Sequence, residues 1–400
     1  MPKKNLLFIS ASLYCGGAEK ALISLLQSIN YSKYNVDLFL FKHEGDFFAD
    51  IPKEVKLLPE PTNTRFFDQS SIRALFLAIR QLNFKVFFAK MMHVYVYKRH
   101  KNGSIAEQYF WKYYQFCFKS IRKKYDVAIG FQEKNPIYFC VDKVKAKRKM
   151  GWIHTDLEKL QIDFKNEEYY FNALDNIVTV SDGLTERLRI KTPQFSNKIC
   201  TIENIISSKV IFELASEQIS LNFDSNYFNI IYVGRIAQEK GLFLGLEALN
   251  ILIKKGCKVR WYLIGEGNKK EELLEEASDK DILENIFFLG LRNNPHPYVS
   301  KADCFLLPSY YEGKSISLEE AKILSKPIVV TNFSSAKDQI EDGYTGLIAD
   351  MNPASIAVKL EQLIDDIDLR KGLIESLKNS VKGTEEEVSK FYDLINDEKC

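Results

Sequence analysis

Two kinds of apolar pattern alternate along the chain. Short, nearly continuous β-rich runs (KNLLFIS, YNVDLFLFK, YDVAIGF, KRKMGWIH, NIVTVS) are separated by stretches such as AEKALISLLQSI and DGLTERL, where apolar residues recur every three or four positions. Runs apolar on both faces suit parallel strands buried between helices, so this alternation predicts an α/β layer structure. A second series starts at NIIYVGR and continues through LFLGLEALNILIKK, KVRWYLIGEG, KKEELLEEA, IFFLG, ADCFLLPS, SLEEAKILS, KPIVVTN and GLIAD. Between the two series, SSKVIFELASEQISLNFDSN (residues 207–226) breaks the strand rhythm with polar residues. The expected organisation is a first α/β domain over 1–206, a second over 207–378, and a C-terminal helix within 379–400 that returns to the first domain.

Composition narrows the picture only in places. A chain of 400 residues is too long for one core, and 46% hydrophobic with 27% charged residues is ordinary for a folded protein. A net charge of +2 is not that of a polycation, which argues against nucleic acid as the partner. Seven cysteines without a CxxC pair indicate neither a zinc knuckle nor a disulfide framework and suit a reducing cytoplasm. The start MPKKNLLFISASLYCGG imitates a signal peptide, but its apolar run is short and Tyr14 is a poor residue before a cleavage site. No run approaches 18 consecutive apolar residues, so no spanning helix is expected. The expected location is the cytoplasm, peripheral at the inner face of the cell membrane.

The charge is uneven. Residues 83–125 carry ten Lys or Arg against Glu107 alone, interleaved with thirteen aromatics from Phe84 to Tyr125. Two readings stand: an interfacial segment whose rings enter an anionic membrane surface while its cations meet headgroups, or a helical pair whose rings fill the domain core.

Two junctions carry candidate chemistry. In IIYVGRIAQEKGLFLGL, Arg235 follows a strand and Lys240 precedes a helix, with Gly234 and Gly241 on their flanks. Two cations beside open helix N–H groups suit a diphosphate. In PSYYEGKSISLEEA, Glu312 falls in the loop after a strand and Glu320 about one turn into the next helix. Ser317-x-x-Glu320 also reads as a capping box, whereas Glu312 suits a polyhydroxylated ligand and the amides of Lys314, Ser315 and Ile316 suit its phosphate. His154, in GWIHTDL, stands at a strand end, and Asp156 either meets an acceptor or caps the next helix.

These residues resemble the retaining glycosyltransferases of group 4, built on the GT-B architecture of two facing Rossmann-like domains with a deep interdomain cleft. The E-x7-E element resembles Glu312 to Glu320 within a pattern running from Pro308 to Thr331 and on into EDGYTGLI. The GR....KG element resembles Gly234, Arg235, Lys240 and Gly241, and the amino-terminal GGAE resembles Gly16 to Glu19. Glu203-Asn204-Ile205 resembles the family's Asn element at the domain crossover.

The resemblance implies roles. Arg235 and Lys240 hold the donor diphosphate, Glu320 the ribose and Glu312 the transferred sugar; the Leu291 backbone lies near the base. Gly16 and Gly17 leave room for the donor, and His154 contacts the sugar, which makes His154 and Glu312 the expected catalytic pair. The donor is a nucleoside-diphosphate sugar, expected to be a UDP-sugar, and the acceptor a glycan or lipid-linked intermediate of bacterial surface polysaccharide. Neither cofactor nor metal is expected, because the DxD at Asp366-Ile367-Asp368 falls in a charged helical segment instead of after a strand. Lys314, Lys322 and Ser325 depart from the family pattern, which leaves the donor sugar open. Two alternatives remain: a sugar-nucleotide epimerase of the same architecture, and a non-catalytic nucleotide- or membrane-binding partner of another transferase.

Overall fold

A computed structural model describes residues 2–14, 16–67 and 71–396. The chain divides into two units, one built from residues 2–14, 18–203 and 387–396, the other from 204–386 with the short stretch 16–17.

The first unit holds seven strands: β1 (Lys4–Ser10), β2 (Tyr34–Leu40), β3 (Lys56–Leu57), β4 (Lys124–Gly130), β5 (Lys145–Ile153), β6 (Asn176–Thr179) and β7 (Ile199–Thr201). They pair in parallel in the order β3-β2-β1-β4-β5-β6-β7. Central β1 shows why its run is apolar throughout: Leu6, Leu7, Phe8 and Ile9 are all fully buried, covered on both faces. The helix Glu387–Ile395 packs in this unit. Its Phe391 ring lies 6.1 Å from Phe8, Tyr392 stacks on Tyr34 at 5.5 Å, and Arg148 donates to the Leu394 carbonyl at 2.6 Å.

The second unit holds β8 (Phe228–Val233), β9 (Val259–Ile264), β10 (Ile286–Gly290), β11 (Cys304–Leu307), β12 (Ile328–Thr331) and β13 (Leu347–Ala349). All pairs are parallel, in the order β10-β9-β8-β11-β12-β13. The polar stretch between the two strand series carries the helix Ser208–Ala215. In each sheet the chain works outward from one strand and then crosses back to that strand's other side, at β1/β4 in the first unit and β8/β11 in the second. Such a reversal separates the loops leaving two neighbouring strands and opens a crevice at their C-terminal ends, where ligands of open α/β sheets bind.

Three helices, Ser71–Arg80, Phe84–Arg99 and Gly103–Tyr114, lie between β3 and β4. They divide the two readings of the basic aromatic segment. Phe110, Trp111, Phe118 and Tyr125 are buried, and Trp111 Nε1 donates to Asp142 at 2.8 Å, so this half packs in the core. Phe84, Phe88 and Tyr95 are exposed. Lys123, expected among the lipid-facing cations, instead donates to Asp37 at 3.0 and 3.1 Å.

The helix Gly103–Tyr114 is tied down by a buried carboxyl. Glu167 accepts from Gln108 Nε2 at 2.5 Å and from the Tyr138 hydroxyl. Burial pushes its pKa up to about 7, against the two hydrogen bonds. A carboxyl whose folded pKa lies above its unfolded value stabilises most below the unfolded value, and that contribution fades as pH rises through the folded one. The melting temperature is therefore expected to fall between about pH 4.5 and pH 7, by an amount equivalent to no more than ~3 kcal/mol. Glu167→Gln should flatten that slope in a calorimetric pH series; an unchanged slope would show that Glu167 does not carry it.

Candidate active site

At the reversal of the second sheet, two loops meet: Gly234–Gly241 after β8 and Pro308–Ser315 after β11. Gly241 has φ +60°, and a Cβ there would lie 2.0 Å from the Pro308 carbonyl oxygen. Only glycine permits that approach. Gly241 is also the N-cap of the helix Leu242–Lys254, which has no side-chain cap, so its first N–H groups keep their polarity toward the loop.

Between these loops, Lys240 Nζ lies 2.8 and 2.9 Å from the two carboxylate oxygens of Glu312. Both side chains are largely buried, at 17% and 10% exposure. Ser309 Oγ donates to Glu312 Oε1 at 2.7 Å, and Ser335 Oγ donates to the Glu312 carbonyl at 3.0 Å. Arg235, by contrast, is 60% exposed and pairs with Glu239 at 3.2 Å. The cation expected at the diphosphate and the carboxylate expected at the sugar are thus one ion pair, a link that the sequence does not show.

The helix Ile316–Ile323 follows. Its N-cap is Ser315, whose hydroxyl accepts from Leu318 N at 3.4 Å, which corrects the capping box expected at Ser317 and Glu320. Ser317 is the second residue of the helix, too late to cap it, and bonds the Ser315 hydroxyl at 3.3 Å instead. The Ser315 amide, expected to face a phosphate, donates to Gln339 Oε1 at 3.0 Å. Lys314 is half-buried and precedes the cap, and Ile316 is buried at the first helical position.

Glu320 is buried beside a residue that sequence reasoning misses: His296 Nε2 lies 3.3 Å from Glu320 Oε1, and both residues are buried. The Asn294 amide donates to the Leu214 carbonyl at 2.8 Å, which turns its oxygen toward His296 Nδ1, also at 2.8 Å. Because that oxygen only accepts, Nδ1 carries a proton. Leu291 follows β10 at the same C-terminal edge of the sheet, 39% exposed.

In the first unit, the residues at the β1/β4 reversal form a separate polar cluster. Gln132 Oε1 accepts from Ser10 Oγ and Ala11 N, both at 3.1 Å, and Gln132 Nε2 donates to Glu19 at 2.7 Å. This fixes the start of the helix Gly17–Ser28. Gly16 immediately precedes that helix, and a Cβ on Gly17 would meet no atom within 4 Å, so packing does not require that glycine. His154 follows β5, and its backbone N–H donates to Glu133 at 3.2 Å. Burial pushes the imidazole pKa down to about 3, opposed by a hydrogen bond with the Phe131 backbone, so the ring is neutral at physiological pH. Lys134, next in the chain after Glu133, has φ +64° and ψ −120°, a strained conformation for a non-glycine residue at this edge. Gln132 and Glu133 are legible in the sequence only as a polar pair after a strand. Asp156 caps no helix: its carboxylate accepts from Glu158 N at 3.0 Å within a turn and pairs with Arg187 at 3.3 Å, while the next helix, Phe164–Ala173, is capped by Asp163.

The DxD at 366–368 is part of a helix start. Asp366 caps the helix Ile367–Ser380 by accepting from Leu369 N at 2.8 Å, and the Asp368 side chain is 97% exposed.

Residues 215–380 match the family described as "Glycosyl transferases group 1". The chain is 28% identical over 211 residues to the capsular polysaccharide biosynthesis glycosyltransferase CapM of Staphylococcus aureus, covering 50% of this chain and 55% of that protein. It is 23% identical over 391 residues, 94% of each chain, to the Campylobacter jejuni GalNAc-alpha-(1->4)-GalNAc-alpha-(1->3)-diNAcBac-PP-undecaprenol alpha-1,4-N-acetyl-D-galactosaminyltransferase. The matches to the first curated relatives span about half of those proteins' length. The structure of Anabaena HepE in complex with UDP and glucose superposes with a TM-score of 0.69 at 14% identity, covering 98% of this chain and 100% of that one. The resemblance to group 4 glycosyltransferases is met by that family match, and the GT-B fold class by two Rossmann-like units with parallel sheets.

Proposed function

We propose that this chain transfers a sugar from a nucleoside-diphosphate sugar, with UDP as the carrier, to a hydroxyl of a lipid-linked polysaccharide intermediate, with retention and without a metal. The observation that carries this reading is the Lys240–Glu312 pair, held between two loops at a sheet reversal where Gly241 lets them approach, with the buried Glu320 eight residues after Glu312. Glycosyl transfer breaks the bond between the anomeric carbon and a diphosphate oxygen, so negative charge grows on the leaving group. Lys240, Arg235 and the uncapped helix start at Leu242 supply positive potential for it. Glu320 accepts from the ribose hydroxyls, and Glu312 orients the sugar and holds Lys240. His154, neutral, takes the sugar contact that the resemblance assigns to it, acting as a hydrogen-bond partner and not as a cation.

The lipid-linked acceptor is supported by relatives such as the Campylobacter jejuni transferase whose name carries a PP-undecaprenol-linked glycan, and a peripheral position at the inner membrane face would bring the site to such an acceptor. Retention is read as same-face attack, in which the departing phosphate oxygen takes the acceptor proton.

Incubation with a panel of nucleoside-diphosphate sugars tests the proposal. Acceptor-dependent release of UDP that persists in EDTA is expected, with the product anomer resolved by NMR. Sugar interconversion without acceptor would instead identify an epimerase, and no turnover with any donor would leave a binding partner.

A further inference from the structure

The helix Phe84–Arg99 is apolar on its outer face as well as its inner one. Its inner face buries Val86, Ala89 and Val96 together with Lys90, whose Nζ reaches the Phe67 carbonyl at 3.5 Å and lies 5.4 Å from the centre of that ring. Its outer face carries Phe84, Phe88, Met91 and Tyr95, exposed by 74%, 53%, 50% and 53%. The spacing i, i+4, i+7, i+11 places these four in one stripe along the helix. A helix of a water-soluble surface is polar on its outer face. The stripe is not a core face left over, because the inner face already packs with Phe66, Ala78 and Cys117. Phe76, Ile79 and Leu82, on the preceding helix and turn, are also more than half exposed.

Charge identifies the occupant. From Gln69 to Ala106 the sequence holds Arg73, Arg80, Lys85, Lys90, Lys98, Arg99 and Lys101 and not one Asp or Glu. Lys85 stands three positions before Phe88, and Lys98 and Arg99 stand three and four after Tyr95, so cations border the stripe on its own face. Arg99 also donates to the Tyr95 hydroxyl at 3.0 Å. A stripe of rings rimmed by cations, without carboxylates, complements the headgroup boundary of an anionic bilayer. A protein partner of ordinary mixed charge has no need of that one-sided rim.

We infer that the outer face of the helix Phe84–Arg99, extended by Phe76, Ile79 and Leu82, docks this protein on an anionic lipid surface. The inference rests on the membrane reading above and names its surface. It also narrows the contact from the whole segment 83–125 to the helix Phe84–Arg99 and the residues just before it.

Vesicle sedimentation of the full chain tests it, using phosphatidylcholine vesicles with and without phosphatidylglycerol. Binding should need the anionic lipid and weaken as salt rises. The quadruple variant Phe84→Ser, Phe88→Ser, Met91→Ser, Tyr95→Ser should bind at least about tenfold more weakly, and Arg80→Gln with Lys85→Gln, Lys98→Gln and Arg99→Gln about tenfold more weakly. Ile190→Ser with Phe212→Ser, which remove exposed apolar residues elsewhere, should bind as the parent does. Melting temperatures should stay close to the parent's in all, since the contacts removed, such as the Phe88–Tyr113 ring contact and the Arg99–Tyr95 hydrogen bond, involve half-exposed side chains. Vesicle binding that survives the quadruple variant overturns this surface while leaving a membrane role intact; no binding of the parent to anionic vesicles overturns both. A variant that abolishes a dimer seen by sedimentation velocity without altering vesicle binding assigns the stripe to a second copy and also overturns the inference. None of these results depends on turnover, so they stand apart from the donor and acceptor assignments.

Discussion

Lys240→Ala is expected to lower kcat by about 10² to 10³, the largest single loss among the donor-site variants. Two effects combine. The variant removes the better shielded of the two cations proposed to face the leaving diphosphate, and a charge in a partly dry site acts more strongly than one in water. It also leaves Glu312 with Ser309 as its hydrogen-bond donor, so a carboxylate only 10% exposed loses its counter-ion. Breaking a fully buried pair costs ~3–5 kcal/mol. Here both partners keep some solvent contact, so a destabilisation of about 2 kcal/mol is expected. Lys240→Arg should restore stability better than rate, because the charge returns with different geometry. Arg235→Ala should cost less, about 10² or below, since this side chain is mostly solvated and paired with Glu239. Steady-state kinetics and thermal melts on the purified variants decide the matter: Lys240→Ala with parental kcat rejects the site.

The two glutamates are expected to separate cleanly in nucleotide binding. Glu320→Gln should weaken free UDP by roughly 10- to 100-fold, the loss of a charged acceptor for ribose hydroxyls. Glu312→Gln should spare UDP binding or tighten it, because it releases Lys240 from its intrachain carboxylate, while transfer falls. Calorimetric titration with UDP measures both. Equal losses in the two variants would show that the roles are wrongly divided, and tighter binding by Glu320→Gln would reverse them.

The E-x7-E spacing shows in the sequence that Glu312 and Glu320 belong to one site, but not what each one touches. His296 lies 24 positions before Glu320, in the stretch NNPHPY, which has no visible signature, and its place beside the carboxylate depends on how the helix His296–Lys301 packs. Ser315 and Ser317 are both plausible caps in the sequence; the choice depends on where the chain leaving β11 turns. Gln132 has the same limit, because its three partners come from β1, the loop after it and the following helix.

Local chemistry alone determined the strand runs, their alternation with helices, the two-unit division and the glycines of the β8 junction, because backbone propensity and burial on both faces leave their mark residue by residue. It could not determine the order in which strands lie. That order makes β8 and β11 neighbours, brings Gly241 against Pro308 and joins Lys240 to Glu312, 72 residues apart. Composition likewise marked residues 83–125 as basic and aromatic without sorting them. Whether a ring is buried depends on whether its face of the helix finds a partner, so Trp111 and Phe118 went to the core while Phe84, Phe88 and Tyr95 stayed outside.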